Sequence, residues 1–307
     1  MLKRLFVASC LVSLVACVQK DDAPEGIAGA LPSAEQVSIQ LPQQSERAVG
    51  QLATWYVATR DITKTFNGGT GWVLLLLGEI VKYPVTTASG DTFTWGPWSE
   101  PLEPAEYKLE VRVVGDGTYT YQLSGRSKLE DNATFEVVID GASDPRKGDR
   151  LANGHFLLDF DAGHRIDPSK DDDAKGSMDV RYDLSARHLD LTIMSTDLLG
   201  QPVLADYAYN QAADGRGGDM TFGLAANAGG GPANESAQLR SRWNADGAGR
   251  ADGLVSGGDL GALQATASEC WDTRFKRVFY TDSAVFSATE GLVTACAFAD
   301  ADVPAPR

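Results

Sequence analysis

Two hydrophobic patterns divide the chain at about residue 85. Before that point, apolar residues such as Val49, Leu52, Tyr56 and Ile62 recur at spacings typical of one face of an amphipathic helix. Beyond it, apolar and polar residues alternate, as they do over residues 106–113. The chain is therefore predicted to begin with helices and to continue as β-strands.

The predicted helical segment covers residues 47–84. Its pattern over residues 47–66 predicts a first helix, which Asn67-Gly68-Gly69 is expected to end. The apolar run WVLLLLGEIV, residues 72–81, predicts a second and deeply buried helix. A buried strand is the alternative for this run, because short apolar runs do not reveal their period. Pro84 is expected to end it.

The predicted β domain covers residues 85–300. About ten alternating runs are separated by turn-forming Gly and Asp residues, such as Gly115-Asp116-Gly117 and Asp246-Gly247. Strands that follow one another without intervening helices pair antiparallel, with one apolar and one wet face. The predicted fold is therefore mainly β: an antiparallel meander forming a curved or partly open barrel, or a sandwich, with one or two N-terminal helices packed on it.

The alternation also places large apolar side chains on the inner face of the predicted sheet. We take five of them as candidate ligand-binding residues: Tyr107, Leu109, Phe135, Phe156 and Tyr182. If this face surrounds an open hollow, they would line a site for a lipid or another hydrophobic ligand. If side chains of a helix or of a second sheet fill the space, a binding or structural role is favoured.

The first residues have the composition of an export signal. Lys3 and Arg4 precede a largely apolar stretch of 12 residues, Leu5 to Ala16. This stretch is too short to span a bilayer core, which requires about 20 helical residues. It predicts a secretory signal rather than a membrane-spanning helix.

The end of this stretch, Leu14-Val15-Ala16-Cys17, resembles the lipobox of bacterial lipoproteins. The resemblance implies a signal peptide over residues 1–16 and lipidation of Cys17. Val18 at the following position is similar to lipoproteins of the outer membrane, so we expect a lipid-anchored protein of the cell outer membrane that faces the periplasm or the cell surface. Residues 17–46, rich in Pro, Gln, Ser and Gly, are expected to be the lipidated cysteine and a flexible linker.

Cysteine usage fits an exported protein. Cys10 would leave with the signal peptide and Cys17 would be lipidated, so Cys270 and Cys296 remain as thiols in a compartment that permits disulfides. They are predicted to form a bridge, with two separate thiols as the alternative. No CxxC motif or nearby pair of histidines accompanies them, so no zinc site is predicted.

Composition narrows the partners. The chain carries 27 Lys and Arg against 42 Asp and Glu, a formal net charge of −15. This balance argues against nucleic acid as a partner, because binding to phosphates requires basic stripes. The apolar fraction of 43% is typical of a globular protein, with ample chain to bury a core.

Few residues are candidates for catalysis, metal binding or ligand stacking. His155, Asp159 and Asp161 share the predicted wet face, where a solvated surface explains them better than a metal site does. The Gly-Asp turn of residues 214–219 lacks the ligand spacing of an EF-hand loop. The Trp95-Gly96-Pro97-Trp98 cluster favours packing at the edge of the core, with carbohydrate stacking as the alternative. No catalytic residue, cofactor or metal is predicted.

The expected function follows from these patterns. We expect a lipid-anchored cell-envelope protein acting as a non-enzymatic binding or structural module, with the membrane and a hydrophobic ligand or envelope protein as partners. In element order the chain also resembles the half-barrel lipoprotein carriers of the envelope, although it shares no motif with them. That resemblance implies the alternative, a carrier of lipid or another hydrophobic ligand in a half-barrel cavity.

Overall fold

The computed structural model describes residues 26–41, 52–148, 151–169, 175–197, 200–227, 231, 233–283 and 289–305. The predicted signal peptide and Cys17 lie outside the described residues. The α-helices of the described residues are α1 Ile27–Ala30, α2 Thr54–Ile80 and α3 Phe160–Ile166, and single 3-10 turns occupy Gly258–Leu260 and Val293–Ala295. Among the described helices, none is both long and apolar enough to cross a membrane.

Within the described residues, fifteen strands form one sheet in which each strand pairs antiparallel with its neighbours in the chain. The sheet is open, which confirms the predicted fold class. The strands are β1 Thr87–Ser89, β2 Thr92–Trp98, β3 Ala105–Val113, β4 Tyr119–Ser127, β5 Glu136–Asp144, β6 Asn153–Asp159, β7 Ser177–Asp183, β8 His188–Thr196, β9 Pro202–Gln211, β10 Gly218–Ala226, β11 Glu235–Trp243, β12 Gly249–Gly257, β13 Gln264–Trp271, β14 Arg277–Asp282 and β15 Thr289–Gly291.

Helix α2 lies across the inner face of this sheet and shows that the sheet is strongly curved. Its first turns pack on β12 and β13, and its last residue, Ile80, packs beside Trp95 of β2. Eleven strand-to-strand steps separate β2 from β13, or about 53 Å along the sheet. A helix of 27 residues is only about 40 Å long. The sheet must therefore bend around the helix.

Glycines on the inner face accommodate this curvature. Tyr121 lies opposite Gly141 in register, and a Cβ added at Gly141 would lie 2.5 Å from Cζ of that tyrosine. Such close packing of a ring on a glycine lets the sheet bend inward while the ring covers the exposed backbone. The same arrangement recurs between Tyr107 and Gly125, Tyr182 and Gly154, Trp243 and Gly218, and Trp271 and Gly249.

Helix α2 is continuous where the sequence predicts a break. It runs through Asn67-Gly68-Gly69, so the two predicted helices are one. Two helical glycines cost about 1 kcal/mol each relative to alanine. Burial of Phe66 on one side of this sequence and of Leu74 and Leu77 on the other offsets that cost, because tertiary packing decides the stability of most helices.

The predicted linker of residues 17–46 is also corrected over its described part. Residues 26–41 pack on the core, with Ile27, Val37 and Ile39 almost fully buried. The Asn67 side chain holds this segment, since its Oδ1 accepts from the Ile39 N–H at 2.9 Å and its Nδ2 donates to the Ile39 carbonyl at 3.0 Å. Asn67 therefore clamps the segment to the helix that it was expected to end.

The N-terminal end of α2 is fixed to the sheet by a buried carboxylate. Glu269 of β13 is fully buried, and its Oε2 accepts the backbone N–H of Trp55 in the first turn. Its Oε1 accepts from Arg277, which also donates to the Thr54 hydroxyl at 3.1 Å. An anion at this position satisfies an N–H that has no partner within the helix and complements the helix dipole.

The hairpin between β13 and β14 supports the same helix end. The Ala53 N–H donates to the Phe275 carbonyl at 2.9 Å. The ring of Tyr56 stacks on the ring of Phe275, with centroids 4.2 Å apart and planes 9° from parallel. The first turn of α2 is therefore held by the carboxylate, by a backbone hydrogen bond and by an aromatic stack.

The outer face of β11–β13 is covered by the C-terminal segment, residues 296–303. Arg250, which is 2% exposed, donates to the carbonyls of Phe298 and Ala299, and its partner Asp252 accepts the N–H of Asp302 at 3.1 Å. The sulfur atoms of Cys270 and Cys296 lie at disulfide distance, with Cα atoms 5.4 Å apart. The segment thus begins at a cysteine pair and shields a buried ion pair.

We predict that Glu269→Gln lowers the free energy of unfolding by about 2–3 kcal/mol, because it removes the charge that pairs with Arg277 and with the helix N-terminus. Denaturant unfolding measures the change. Glu290→Gln is the matched control, since Glu290 also pairs with Arg277 but is 61% exposed, and we expect a loss within about 0.5 kcal/mol. Equal losses in the two variants would show that the buried carboxylate does not anchor α2.

Candidate functional site

The predicted ligand-binding residues do not surround an empty hollow. Tyr107, Leu109, Phe156 and Tyr182 are between 0% and 4% exposed and belong to one core cluster with side chains of α2 and of residues 26–41. Side chains that are this deeply buried touch other side chains on all sides. The inner face of β3–β7 is therefore filled.

Phe135, the fifth predicted lining residue, lies on the opposite face. Between β4 and β5 the register shifts, so that Leu123 pairs with Ile139 but Ser124 pairs with Val137. The extra residue, Val138, reverses the alternation on its N-terminal side, as a β-bulge does. Phe135 consequently lies between the cations of Lys108 and Arg126, 5.2 Å and 4.8 Å from its centroid.

Burial raises the pKa of the tyrosines on the inner face of the sheet. Desolvation raises the pKa of Tyr207 to about 12. The pKa of Tyr209 is also raised to about 12, mainly by burial. Burial likewise raises the pKa of Tyr107, Tyr121 and Tyr182 above the usual value. These shifts have the direction expected of phenols that are removed from water.

An apolar cleft remains beside the first two turns of α2. Its volume is about 280 Å³, near the lower end of the range for ligand pockets. It lies between Trp55 and Ile62 of the helix and the inner face of β10–β14. Small residues of the sheet create the space: Ala237, Gly253, Ala265 and Ala267. We call this space the apolar cleft.

A second cleft, of about 260 Å³, lies at the other end of α2. Trp95 forms its buried wall and donates its Nε1 hydrogen to the Tyr83 carbonyl at 2.9 Å. The ring of Tyr83, which is 58% exposed, lies beside the ring of the half-buried Trp98, with centroids 6.5 Å apart and planes tilted by 30°. Glu100 lies at its exposed rim. We call this space the aromatic cleft.

A larger cavity, about 730 Å³, is polar and lies between residues 33–40 and the ends of β7–β9. His188 lines it and contacts Asp190 Oδ2 at 2.7 Å and Asn210 Oδ1 at 2.8 Å. Partial burial alone would lower the pKa of His188, but its hydrogen bonds to Asp190 and Asn210 outweigh this effect and raise the pKa. These contacts orient the imidazole as part of the strand surface.

Three aspartates singled out in the sequence accept hydrogen bonds from nearby backbone N–H groups. Asp159 accepts the Ala162 N–H and caps α3, and Asp161 accepts the Gly176 N–H from within that helix. Asp159 is the last residue of β6 and lies on the same strand face as His155, whereas Asp161 does not, because the strand ends at Asp159 and a helix follows. Asp214 accepts two backbone N–H groups of its own turn. Within the described ranges, no group of three or more His, Cys, Asp or Glu residues is arranged to hold a metal.

Comparisons with known proteins identify no relative. No family model matches the chain, and neither a curated protein nor a solved structure matches it. Function is therefore inferred from the sequence and the geometry of this chain.

Sequence reasoning missed the apolar cleft and noticed the aromatic cleft only as a tryptophan pair. Large apolar residues in alternation do not indicate a hollow, because their side chains fill the space that they surround. Small residues on an inner face leave space open, and in the sequence the alternating Ala265 and Ala267 indicate such a place.

We predict that the buried tyrosines of the inner face ionise at a higher pH than exposed tyrosines do. Because their pKa is raised in the folded state, they stabilise it below about pH 10, where unfolded tyrosine begins to ionise, and this stabilisation is lost as the pH rises towards 12 and beyond. Phenolate absorbance measures the titration. Tyr207→Phe should remove one late-titrating group. If all nine tyrosines ionise near pH 10 while the protein is folded, the face is open to water.

Proposed function

We propose that this protein is a lipid-anchored component of the cell envelope that acts as a non-enzymatic binding or structural module. The observation that carries the proposal is the filled inner face of the sheet: Tyr107, Leu109, Phe156 and Tyr182 contribute to a packed core instead of lining a ligand cavity. A rigid curved sheet of this kind offers its outer surface and its two clefts to partners.

The lipid anchor is the part of the proposal that rests on sequence. Its support is the lipobox-like Leu14-Val15-Ala16-Cys17 and the apolar stretch that precedes it. Two or three acyl chains on one residue would bury enough methylene groups, at about 0.8 kcal/mol each, for stable membrane attachment. The net charge of −15 supports a folded part that stays in solution above anionic head groups.

The apolar cleft favours a second candidate function, a carrier of lipid or another hydrophobic ligand. Its walls are Trp55, Ile62, Phe222, Leu239 and small residues of β11–β13. A space of about 280 Å³ holds a short apolar group rather than a complete two-chain lipid. The carrier function would therefore use the inner face at β10–β14 and not the part of that face, at β3–β7, that the sequence indicated.

The anchor predicts the distribution of the protein between membrane and soluble fractions. In cells, Cys17→Ala should move the protein from the membrane fraction to the soluble fraction, because the acyl chains cannot be attached. Cys10→Ala is the matched control, since Cys10 lies in the part of the chain that signal cleavage would remove, and this variant should stay on the membrane. Membrane retention of the Cys17→Ala variant would contradict lipid anchoring at this residue.

Mass spectrometry of lipid that copurifies with the protein separates the two candidate functions. The Cys17→Ala variant should be used, because the covalent anchor then adds no lipid of its own. A binding or structural module is expected to purify without stoichiometric lipid. A carrier would retain lipid in this variant and lose it when Ala267→Trp fills the apolar cleft, whereas Thr120→Trp on the wet face of β4 would leave it in place.

A further inference from the structure

We propose that the aromatic cleft at the C-terminal end of α2 is a saccharide-binding site in which a pyranose ring stacks on the solvent-exposed surface of Tyr83 and Trp98. The juxtaposition that carries the proposal is an exposed tyrosine beside a half-buried tryptophan in the lining of one cleft of about 260 Å³, with Glu100 at its rim. The proposal deepens the envelope-binding function proposed above and rests on it for the source of the ligand.

The sheet departs from regular alternation to bring the two tryptophans together. In a regular strand, residues three apart such as Trp95 and Trp98 point to opposite faces. Here Trp95 pairs with Leu109 and Trp98 pairs with Tyr107, so three residue steps on β2 match two on β3 and one extra residue is inserted on β2. Because Leu109 and Tyr107 share the inner face, both tryptophans are directed to that face. Bulges of this kind redirect side chains and are frequent beside functional sites.

The two tryptophans then serve different purposes. Trp95 is 2% exposed and belongs to the core, where its hydrogen bond to the Tyr83 carbonyl fixes the chain that leaves α2. Trp98 is only half-buried, and Tyr83 beside it remains 58% exposed. Core packing alone explains Trp95 but leaves the open faces of Tyr83 and Trp98 unexplained. Two exposed rings over one cleft form a surface for stacking.

The chemistry of the cleft fits a neutral sugar ring. The faces of aromatic rings carry partial negative charge and attract the polarised C–H groups of a pyranose. The Glu100 carboxylate at the rim accepts hydrogen bonds from hydroxyl groups, which a sugar supplies in number. The net charge of −15 disfavours an anionic ligand. Stacking faces combined with a hydroxyl acceptor therefore favour a neutral saccharide over a phosphate-bearing or purely apolar ligand.

Calorimetric titration of the full-length protein tests the proposal. The protein is kept in a detergent without a sugar head group, so that the detergent does not compete. The probes are chitotriose, which represents N-acetylated cell-wall glycan, and cellotriose, which represents unmodified glucan. We expect saturable binding of at least one of them with a dissociation constant of about 1 mM or lower. The preferred probe indicates which source of the pyranose the cleft accepts.

Variants assign any binding to the cleft. Trp98→Ala should weaken binding by about fivefold to tenfold, the effect of losing one aromatic contact. Trp98→Tyr, which keeps a stacking face, should restore most of it. Leu102→Ala is the matched control, because Leu102 is 99% exposed on the neighbouring loop and should leave binding unchanged. Thermal unfolding of each variant verifies that it is folded.

Three results would overturn the proposal. The first is the absence of saturable binding of both saccharides to folded wild-type protein. The second is saccharide binding that Trp98→Ala leaves unchanged. The third is binding of a polyproline peptide in place of the saccharides, since aromatic grooves also accept such peptides. Membrane fractionation of the same cells keeps these failures separate from failure of the envelope function, because membrane attachment through Cys17 does not depend on the cleft.

Discussion

The buried carboxylate of Glu269 holds the first turn of α2 against β13, and the packing of the concave face depends on this contact. With its N-terminal end fixed there and Ile80 packed beside Trp95, a helix of about 40 Å bridges a much longer arc of sheet. The distance along the helix therefore sets how far the sheet must curl. Rings over inner-face glycines, such as Tyr121 over Gly141, make that curl possible without empty space.

This arrangement also explains where open space remains. The middle of the inner face is covered by α2 and by residues 26–41, which Asn67 holds in place. The helix stops covering the sheet at its two ends, and the apolar and aromatic clefts lie at these ends. Each cleft also has its own local cause, small side chains in β11–β13 at one end and a bulge in β2 at the other. Binding is thus expected at the two ends of the helix rather than beneath its middle.

Much of the fold could be predicted from the sequence because alternation reports directly on half-buried strands. The antiparallel meander follows from it, and the helical N-terminal region follows from apolar spacings of three and four. Strand β12 shows no such alternation, because its faces carry Gly253, Arg250 and Asp252 in place of large apolar residues. Phe135 lies on the face opposite to the predicted one, because the bulge at Val138 depends on pairing with β4, which no local pattern reveals. Asn67 does not end the helix, and its partner, Ile39, cannot be recognised locally because it is 28 residues away.

The central claim is that α2 is a fixed part of the core and not a removable lid over a ligand hollow. Native-state hydrogen exchange tests it most directly, because it reports the opening free energy of each element separately. If α2 is fixed in the core, its amides around Leu74 and Leu77 exchange only with global unfolding, and their opening free energy equals that of the central strands β4–β8. Exchange of these helix amides through a lower-energy opening that leaves the strands protected would contradict it.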